Sequence, residues 1–332
     1  MLETEENGPP YYRILSIDGG GIKGVFPAAF LAAMERTLSK PIGAYFDLIA
    51  GTSTGGIIAL GLGLGFRASE LLNFYETYGP QIFQGNRLRL LFRHIGFSKY
   101  DPEPLRHALE SQFKDKLIGD SRTRLVIPSM NAGTGEVHIY KTSHHPKFEM
   151  DYWKTAVEAA MSTASAPSYF PTYHSSSNIP LIDGGMWANN PVGLAVVEAI
   201  GILGWPKDQL KVLSIGCTSE PFDIGARRKY GLGLLPWAFK VADAFMSGQT
   251  SGSLGTAYVL AGHKNVERIN ITVSKGRFGI DAHKEIKDLC GLGEGEARKA
   301  IPNLKPVFFH KAAEPFVPCR SKQDDSSSKR CL

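Results

Sequence analysis

The sequence predicts an α/β fold of three layers, with helices on both faces of a mostly parallel central sheet. Two observations carry that expectation. Strand, glycine-rich turn and helix follow one another twice near the start: residues 12–17, 18–24 and 25–39, then 46–50, 51–55 and 56–66. Such alternation needs crossovers, and crossovers between neighbouring strands place helices on the sheet's faces. The chain, at 332 residues with 43% hydrophobic and 21% charged, is also long enough to bury a core of that kind in one domain.

The elements follow in order. Residues 12–17 alternate and are β-rich, which predicts the first strand. The helix over 25–39 places Phe26, Ala29, Phe30, Ala33 and Leu38 at helical spacing, and Pro27 falls in its first turn, where proline is tolerated. Pro41-Ile42-Gly43 resets the chain before the second strand. A helix over 69–78 is expected, with Ser69 as N-cap and Glu70 in the first turn. Residues 83–98 mix Arg87, Arg89, Arg93 and His94 with Leu88, Leu90, Leu91 and Phe92. They read either as a solvated helix face or as a basic amphipathic cap.

Further on, Asp101-Pro102-Glu103-Pro104 opens a helix to about residue 113, and strands are expected at 124–128 and 137–141. Residues 153–163 read as helix, 179–182 as a short strand, and Asn189-Asn190-Pro191 as the start of a helix reaching about 203. A strand at 211–216, a loop at 222–235, helices at 237–246 and 251–261, and a strand at 266–273 follow. A helix over 282–300 is interrupted by Gly291, Gly293 and Gly295. The expected organisation is a flexible leader (1–11), one domain (12–310) and a polar, disordered tail (311–332). Within the domain the motifs fall in 12–216, and 217–310 is an elaboration.

Charge and cysteine usage narrow the function classes. The net charge of +5 mildly favours an anionic partner such as a phospholipid surface or a nucleotide, and no basic run interleaved with aromatics speaks for nucleic acid. Cys217, Cys290, Cys319 and Cys331 show no metal-finger or CxxC spacing, which fits a reducing compartment. The acidic N-terminus lacks the pattern of a signal peptide, and no stretch of about 18 apolar residues predicts a membrane span. A cytoplasmic location is expected.

The chemistry gathers at three places. Gly51-Thr52-Ser53-Thr54-Gly55 between strand and helix has the form Gly-x-Ser-x-Gly of a nucleophile elbow. Ser53 at its apex must take a strained backbone so that its hydroxyl points out of the turn. Gly19-Gly20-Gly21-Ile22-Lys23-Gly24 fits a dinucleotide loop, with Asp47 downstream as a ribose-binding acid, or a loop whose amides face a developing oxyanion. The serine elbow in the next β/α unit favours the oxyanion reading. A nucleophilic serine needs a base. His263 and His283 lie late enough in the chain for a Ser…Asp…His order, whereas Asp183 ends a strand in the turn Asp183-Gly184-Gly185. The ordinary role of such an aspartate is to stabilise its own glycine turn.

Taken together and in this order, Asp18-Gly-Gly-Gly-Ile-Lys-Gly24, Gly51-Thr-Ser-Thr-Gly55 and Asp183-Gly-Gly185 resemble the three signatures of the patatin-like phospholipases. Ala164-Ser-Ala-Pro-Ser-Tyr-Phe-Pro171 resembles a further stretch of that family, and the similarity spans about residues 12–216. The resemblance implies a patatin-like three-layer fold and a Ser–Asp dyad without histidine, Ser53 as nucleophile and Asp183 as general base. It implies an oxyanion hole from amides around Gly20, Gly21 and Ile22, no metal or cofactor for catalysis, and phospholipid as substrate. Gly184-Gly185, where some relatives have Gly-Ala, is a common variant. The leader, the Ser98-Lys99-Tyr100-Asp101 region and the long C-terminal part resemble bacterial patatin-like effectors more than the plant storage members. That implies activation by a cyclic dinucleotide, peripheral action on the membrane during anti-phage defence, and homo-oligomer formation on activation. Two other classes are compatible with single motifs: a nucleotide-binding module using Gly19–Gly24, and a catalytically silent storage or scaffold protein.

Overall fold

Side chains along the first two strands alternate between two cores, and this sets the layers. In a computed structural model, which describes residues 11–84, 97–222 and 234–320, β1 (Tyr12–Ile17) and β2 (Leu48–Gly51) pair in parallel. Leu15, Ile17 and Ile49 point into one core, and Ile14, Leu48 and Ala50 into the other. The first core is covered by α1 (Val25–Glu35), α2 (Thr54–Gly63), α3 (Ala68–Ile82), α4 (Glu103–Phe113) and α5 (Ala156–Ala164). The second packs under α7 (Val192–Gly201) and the last turns of α8 (Leu234–Ala261). A one-turn helix, α6 (Gly185–Ala188), precedes α7, and α9 (Ile286–Phe308) closes over α1.

Both layers grip one sheet. Its other strands are β3 (Arg124–Asn131), β4 (Val137–Lys141), β5 (Tyr173–His174), β6 (Pro180–Asp183), β7 (Leu210–Ile215) and β8 (Val266–Ile269). Their order is β5-β6-β3-β2-β1-β7-β8, with β4 also on β3. The pairs β1–β2, β1–β7, β2–β3 and β7–β8 are parallel; β3–β4, β3–β6 and β5–β6 are antiparallel. The sheet is therefore mostly parallel, as expected.

The antiparallel run of β6 positions the site. Ala50 pairs with Val126, and Asp183 pairs with Ser129. Three residues beyond Ala50 is Ser53, and three beyond Val126 is Ser129, so Asp183 arrives level with Ser53. A parallel strand would have carried its carboxyl end outward; β6 starts further out and runs back to the same edge.

Several expected boundaries differ, each for a local reason. The helix starting near residue 68 takes Arg67, not Ser69, as its cap. The Glu70 carboxylate accepts the Arg67 amide at 2.6 Å and buried Glu35 accepts that of Ala68 at 3.2 Å. The helix expected from Pro191 begins at Val192, whose amide donates to Asn190 Oδ1 at 3.1 Å. The two helices expected at 237–246 and 251–261 are one, α8. Gln249 Nε2 donates to Met186 O at 2.7 Å, and Ser253 Oγ donates to Asn190 O at 2.6 Å, so packing carries the helix through Gly248 and Gly252. The glycines of α9 do not interrupt it either. Gly293 lies where a Cβ would stand 2.5 Å from Phe26 O, so its bareness lets α9 press on α1. The basic run around Arg87–His94 and most of the 222–235 loop lie outside the described residues. The tail is described to residue 320, where Ala313 N donates to Ala44 O at 2.9 Å and Cys319 N to Ser143 O at 2.6 Å.

Candidate active site

Strand β2 runs into α2 through a turn so tight that Ser53 takes φ 54°, ψ −122°. Few non-glycine residues hold this region, and the cost is about 1–3 kcal/mol. The surroundings hold it there. Ser53 N donates to Thr163 Oγ1 at 2.9 Å, and Thr163 Oγ1 donates to Pro128 O at 2.6 Å. Thr52 Oγ1 donates to Ala188 O at 2.6 Å, and Thr54 Oγ1 to the Tyr75 hydroxyl at 2.6 Å. At Gly55 a Cβ would stand 2.3 Å from Ile17 O, so a side chain would force β1 away from the turn. Gly51 ends β2 on the other side of the apex.

Asp183 approaches from β6. Its carboxylate faces the Ser53 hydroxyl and accepts the Gly185 amide at 2.7 Å, and its own amide donates to Ser165 O at 3.0 Å. Gly184 and Gly185 thus turn the chain into α6 while one amide is spent on the carboxylate. Burial pushes the Asp183 carboxyl up to about 6, against the pull of the Ser53 hydroxyl and the Gly185 amide. A carboxylate so destabilised is a stronger base than one in water, and at neutral pH it is still ionised.

The glycine loop leaves β1 beside Ser53. Gly19 N donates to Asn189 O at 2.9 Å, Ile22 N to Ile280 O at 2.8 Å and Lys23 N to Gly20 O at 3.2 Å. Among the described residues nothing accepts from the amides of Gly20 and Gly21. The Ile22 amide, expected among the oxyanion donors, is engaged by Ile280. Gly24 ends the loop against Thr54 of the elbow. A cavity of about 970 Å³ opens over these groups; Gly19–Lys23, Ser53 and Asp183 line it, with Phe74, Ile82, Phe83, Leu105 and Phe170 among its apolar walls.

The rival bases and the rival ligand fare differently. No histidine lines this cavity among the described residues. His263 stacks on Tyr258 with ring centroids 3.7 Å apart. Asp47, the ribose-binding candidate, sits at the amino end of β2, opposite the glycine loop, where its Oδ2 accepts the Arg13 amide at 2.7 Å. A carboxylate there does not reach the ribose of a nucleotide whose phosphates lie at Gly19–Gly24.

Sequence reasoning missed three groups that hold the site. Thr163, one residue ahead of Ala164-Ser-Ala-Pro, supplies the hydroxyl under Ser53. Asn189 anchors Gly19. Arg268, on β8, grips the loop's first residue: Nη1 donates to Asp18 Oδ1 at 2.8 Å and Nη2 to Asp18 Oδ2 at 2.5 Å. Thr163 and Asn189 lay at signals in the sequence, the 164–171 stretch and the Asn189-Asn190-Pro191 helix start, though neither signal pointed to this role; Arg268 had none.

Comparison with known proteins places this arrangement. Residues 15–196 match the family described as patatin-like phospholipase. The chain belongs to that family. A cGAMP-activated phospholipase of Pseudomonas aeruginosa is 33% identical over 323 residues, covering 93% of this chain and 95% of that one. A protein of the same name from Vibrio cholerae is 34% identical over 244 residues, 65% of this chain and 69% of that one. Patatin-like protein 2 of Arabidopsis thaliana is 32% identical over 275 residues, 69% of this chain and 67% of its own. As a patatin-like phospholipase, the chain is a lipid-ester hydrolase. Among the described residues no helix is long and apolar enough to cross a membrane, and no group of three His, Cys, Asp or Glu side chains is gathered as a metal site.

Proposed function

We propose that the chain cleaves the acyl esters of glycerophospholipids through a Ser53–Asp183 dyad. One observation carries the reading: a serine at an elbow with φ 54° faces, across one cavity, a buried carboxylate whose pKa is pushed up to about 6. Asp183 takes the hydroxyl proton as Ser53 Oγ bonds to the ester carbonyl carbon. The carbonyl electron pair moves to oxygen, where the Gly20 and Gly21 amides hold it. The intermediate collapses, the lysophospholipid oxygen leaves with the proton from Asp183, and an acyl-enzyme remains on Ser53. Water gives a proton to Asp183 as its oxygen bonds to the acyl carbon; the bond to Ser53 Oγ then breaks, Asp183 returns the proton to Ser53, and the fatty acid is released. The apolar walls of the cavity suit an acyl chain.

This mechanism fixes the acid limb of the pH profile. Asp183 accepts a proton only when ionised, so activity is lost as pH falls through its pKa. With a soluble ester as substrate, kcat/KM is expected to rise with pH around a midpoint near 6, the free-enzyme value of Asp183. A profile that stays flat down to about pH 5 would contradict Asp183 as the base.

Kinship with the cGAMP-activated phospholipases supports a further level. In this reading a cyclic dinucleotide switches the enzyme on, the enzyme works peripherally at the inner membrane surface as a homo-oligomer, and membrane degradation serves anti-phage defence. Fatty-acid release from phosphatidylglycerol and phosphatidylethanolamine vesicles, measured with and without a panel of cyclic dinucleotides, tests both levels. Hydrolysis that appears only with one of the ligands is the expected result. Equal hydrolysis in every arm removes the switch, and none in any arm removes the phospholipase reading.

A further inference from the structure

Two amides of the glycine loop have to point at one oxyanion, yet they sit in a run of three glycines, the least constrained backbone a chain has. Such a run needs pins on both sides. On one side Gly19 N is held by Asn189 O at 2.9 Å; on the other, Ile22 N is held by Ile280 O at 2.8 Å. The second pin comes from far along the chain, in the stretch between β8 and α9. Ile280 lies so close over the loop that a Cβ on Gly21 would stand 2.4 Å from its Cγ2 and from its carbonyl oxygen.

A carbonyl on a connecting segment pins nothing unless the segment is itself fixed. The next residue provides the anchor. Asp281 Oδ2 accepts from Lys99 Nζ at 2.5 Å and from the Tyr100 hydroxyl at 2.6 Å. Those two residues are themselves tied down, since Lys99 N donates to Ser168 O at 2.9 Å and Tyr100 N to Tyr169 O at 2.8 Å. Tyr100 is buried, with its ring edge-on to Phe83 at 5.4 Å. Residues 168–169 follow α5, whose Thr163 holds the Ser53 amide. The nucleophile and the oxyanion loop thus share one support.

We propose that Lys99, Tyr100 and Asp281 form a clamp that positions the Gly20 and Gly21 amides through the Ile280–Ile22 hydrogen bond. The proposal rests on the dyad reading and extends it to three residues that touch neither Ser53 nor Asp183. They are positioning residues: they act on the reaction only through the carbonyl of Ile280. Preorganised donors count because they need not reorient as charge develops, so loosening them costs transition-state binding and leaves substrate binding alone.

The test uses the full chain with cGAMP present, a soluble nitrophenyl ester as substrate, and an alkyl trifluoromethyl ketone, whose adduct with Ser53 carries the oxyanion. Asp281→Ala, Lys99→Met and Tyr100→Phe are expected to lower kcat by roughly tenfold or more with KM nearly unchanged. Affinity for the ketone should fall by the same factor as kcat/KM, and Lys99→Arg, which keeps the charge, should restore most of kcat. Tyr100→Phe removes a single hydroxyl, so it reads the clamp even if the alanine variant folds poorly. Unchanged kcat, a change in KM alone, or a rise in kcat on releasing the clamp would each overturn the proposal. A wild-type enzyme that neither hydrolyses the ester nor binds the ketone at Ser53 would overturn the dyad reading and the clamp with it. Variants that match an active wild type would overturn the clamp alone.

Discussion

Ser53→Ala and Asp183→Asn are each expected to lower fatty-acid release by roughly three to five orders of magnitude, with the fold intact. Neither loss would come from unfolding. Ser53→Ala removes one oxygen at the cavity floor and leaves the amide of residue 53 on Thr163 Oγ1. Asp183→Asn relieves a cost, because the native carboxylate is buried at 5% exposure and its pKa is pushed up by that burial. An amide there no longer has to be desolvated as an anion, so the variant should melt at the wild-type temperature or above it. The two side chains act as a unit, since a nucleophile without its base and a base without its nucleophile fail at the same step. The double variant should therefore be about as slow as either single one. Thermal melts, fatty-acid release and labelling of Ser53 by a fluorophosphonate together check this. If Asp183→Asn kept near-normal turnover, or if His263→Ala or His283→Ala abolished it, the dyad assignment would be wrong.

What was legible in the sequence was what neighbouring residues dictate. Gly51-Thr-Ser-Thr-Gly55 between an apolar strand and an apolar helix forces an elbow, because only small residues fit where Gly55 meets Ile17 O. The glycine loop and the Asp183 turn were readable for the same reason. Long-range partners were not. Arg268 and Asp281 lie about 250 and 182 residues from the groups they hold, and nothing in their local setting marks them. Two helices, 237–246 and 251–261, were expected where α8 is continuous, because propensity is weak beside packing and polar contacts at Gln249 and Ser253 hold the helix through residues 247–250. The direction of β6 was invisible too. Four residues, Pro180–Asp183, carry no sign of whether their partner runs with them or against them, yet that direction brings Asp183 level with Ser53.

Arg268 carries the largest structural effect expected outside the dyad. Its guanidinium binds Asp18 in a two-point fork and also donates to Ser214 Oγ at 2.7 Å. Side-chain exposure is 13% for Arg268 and 6% for Asp18, so the pair is nearly out of water. Burial pushes the Asp18 carboxyl up, and Arg268 opposes that shift; attraction to Asp18 holds the guanidinium firmly charged. Arg268→Met would strand the Asp18 carboxylate at the root of the glycine loop. Breaking a buried pair from one side costs about 3–5 kcal/mol, more than an exposed pair is worth. The sign of its pH dependence follows. With Arg268 gone, the folded-state pKa of Asp18 lies well above its unfolded value, so the variant is penalised at neutral pH and relieved as pH falls through that folded pKa. The stability gap to wild type should therefore narrow as pH is lowered from neutral. The double variant Asp18→Asn/Arg268→Met removes the stranded charge and should recover most of the lost stability. Its kcat should stay low, because the fork that fixes where the loop leaves β1 is still missing. Denaturant melts across pH, with kcat on a soluble ester, separate the two effects. A single variant as stable as wild type at neutral pH would show that Asp18 needs no partner. A double variant with full kcat would show that the fork stabilises the fold without positioning the loop.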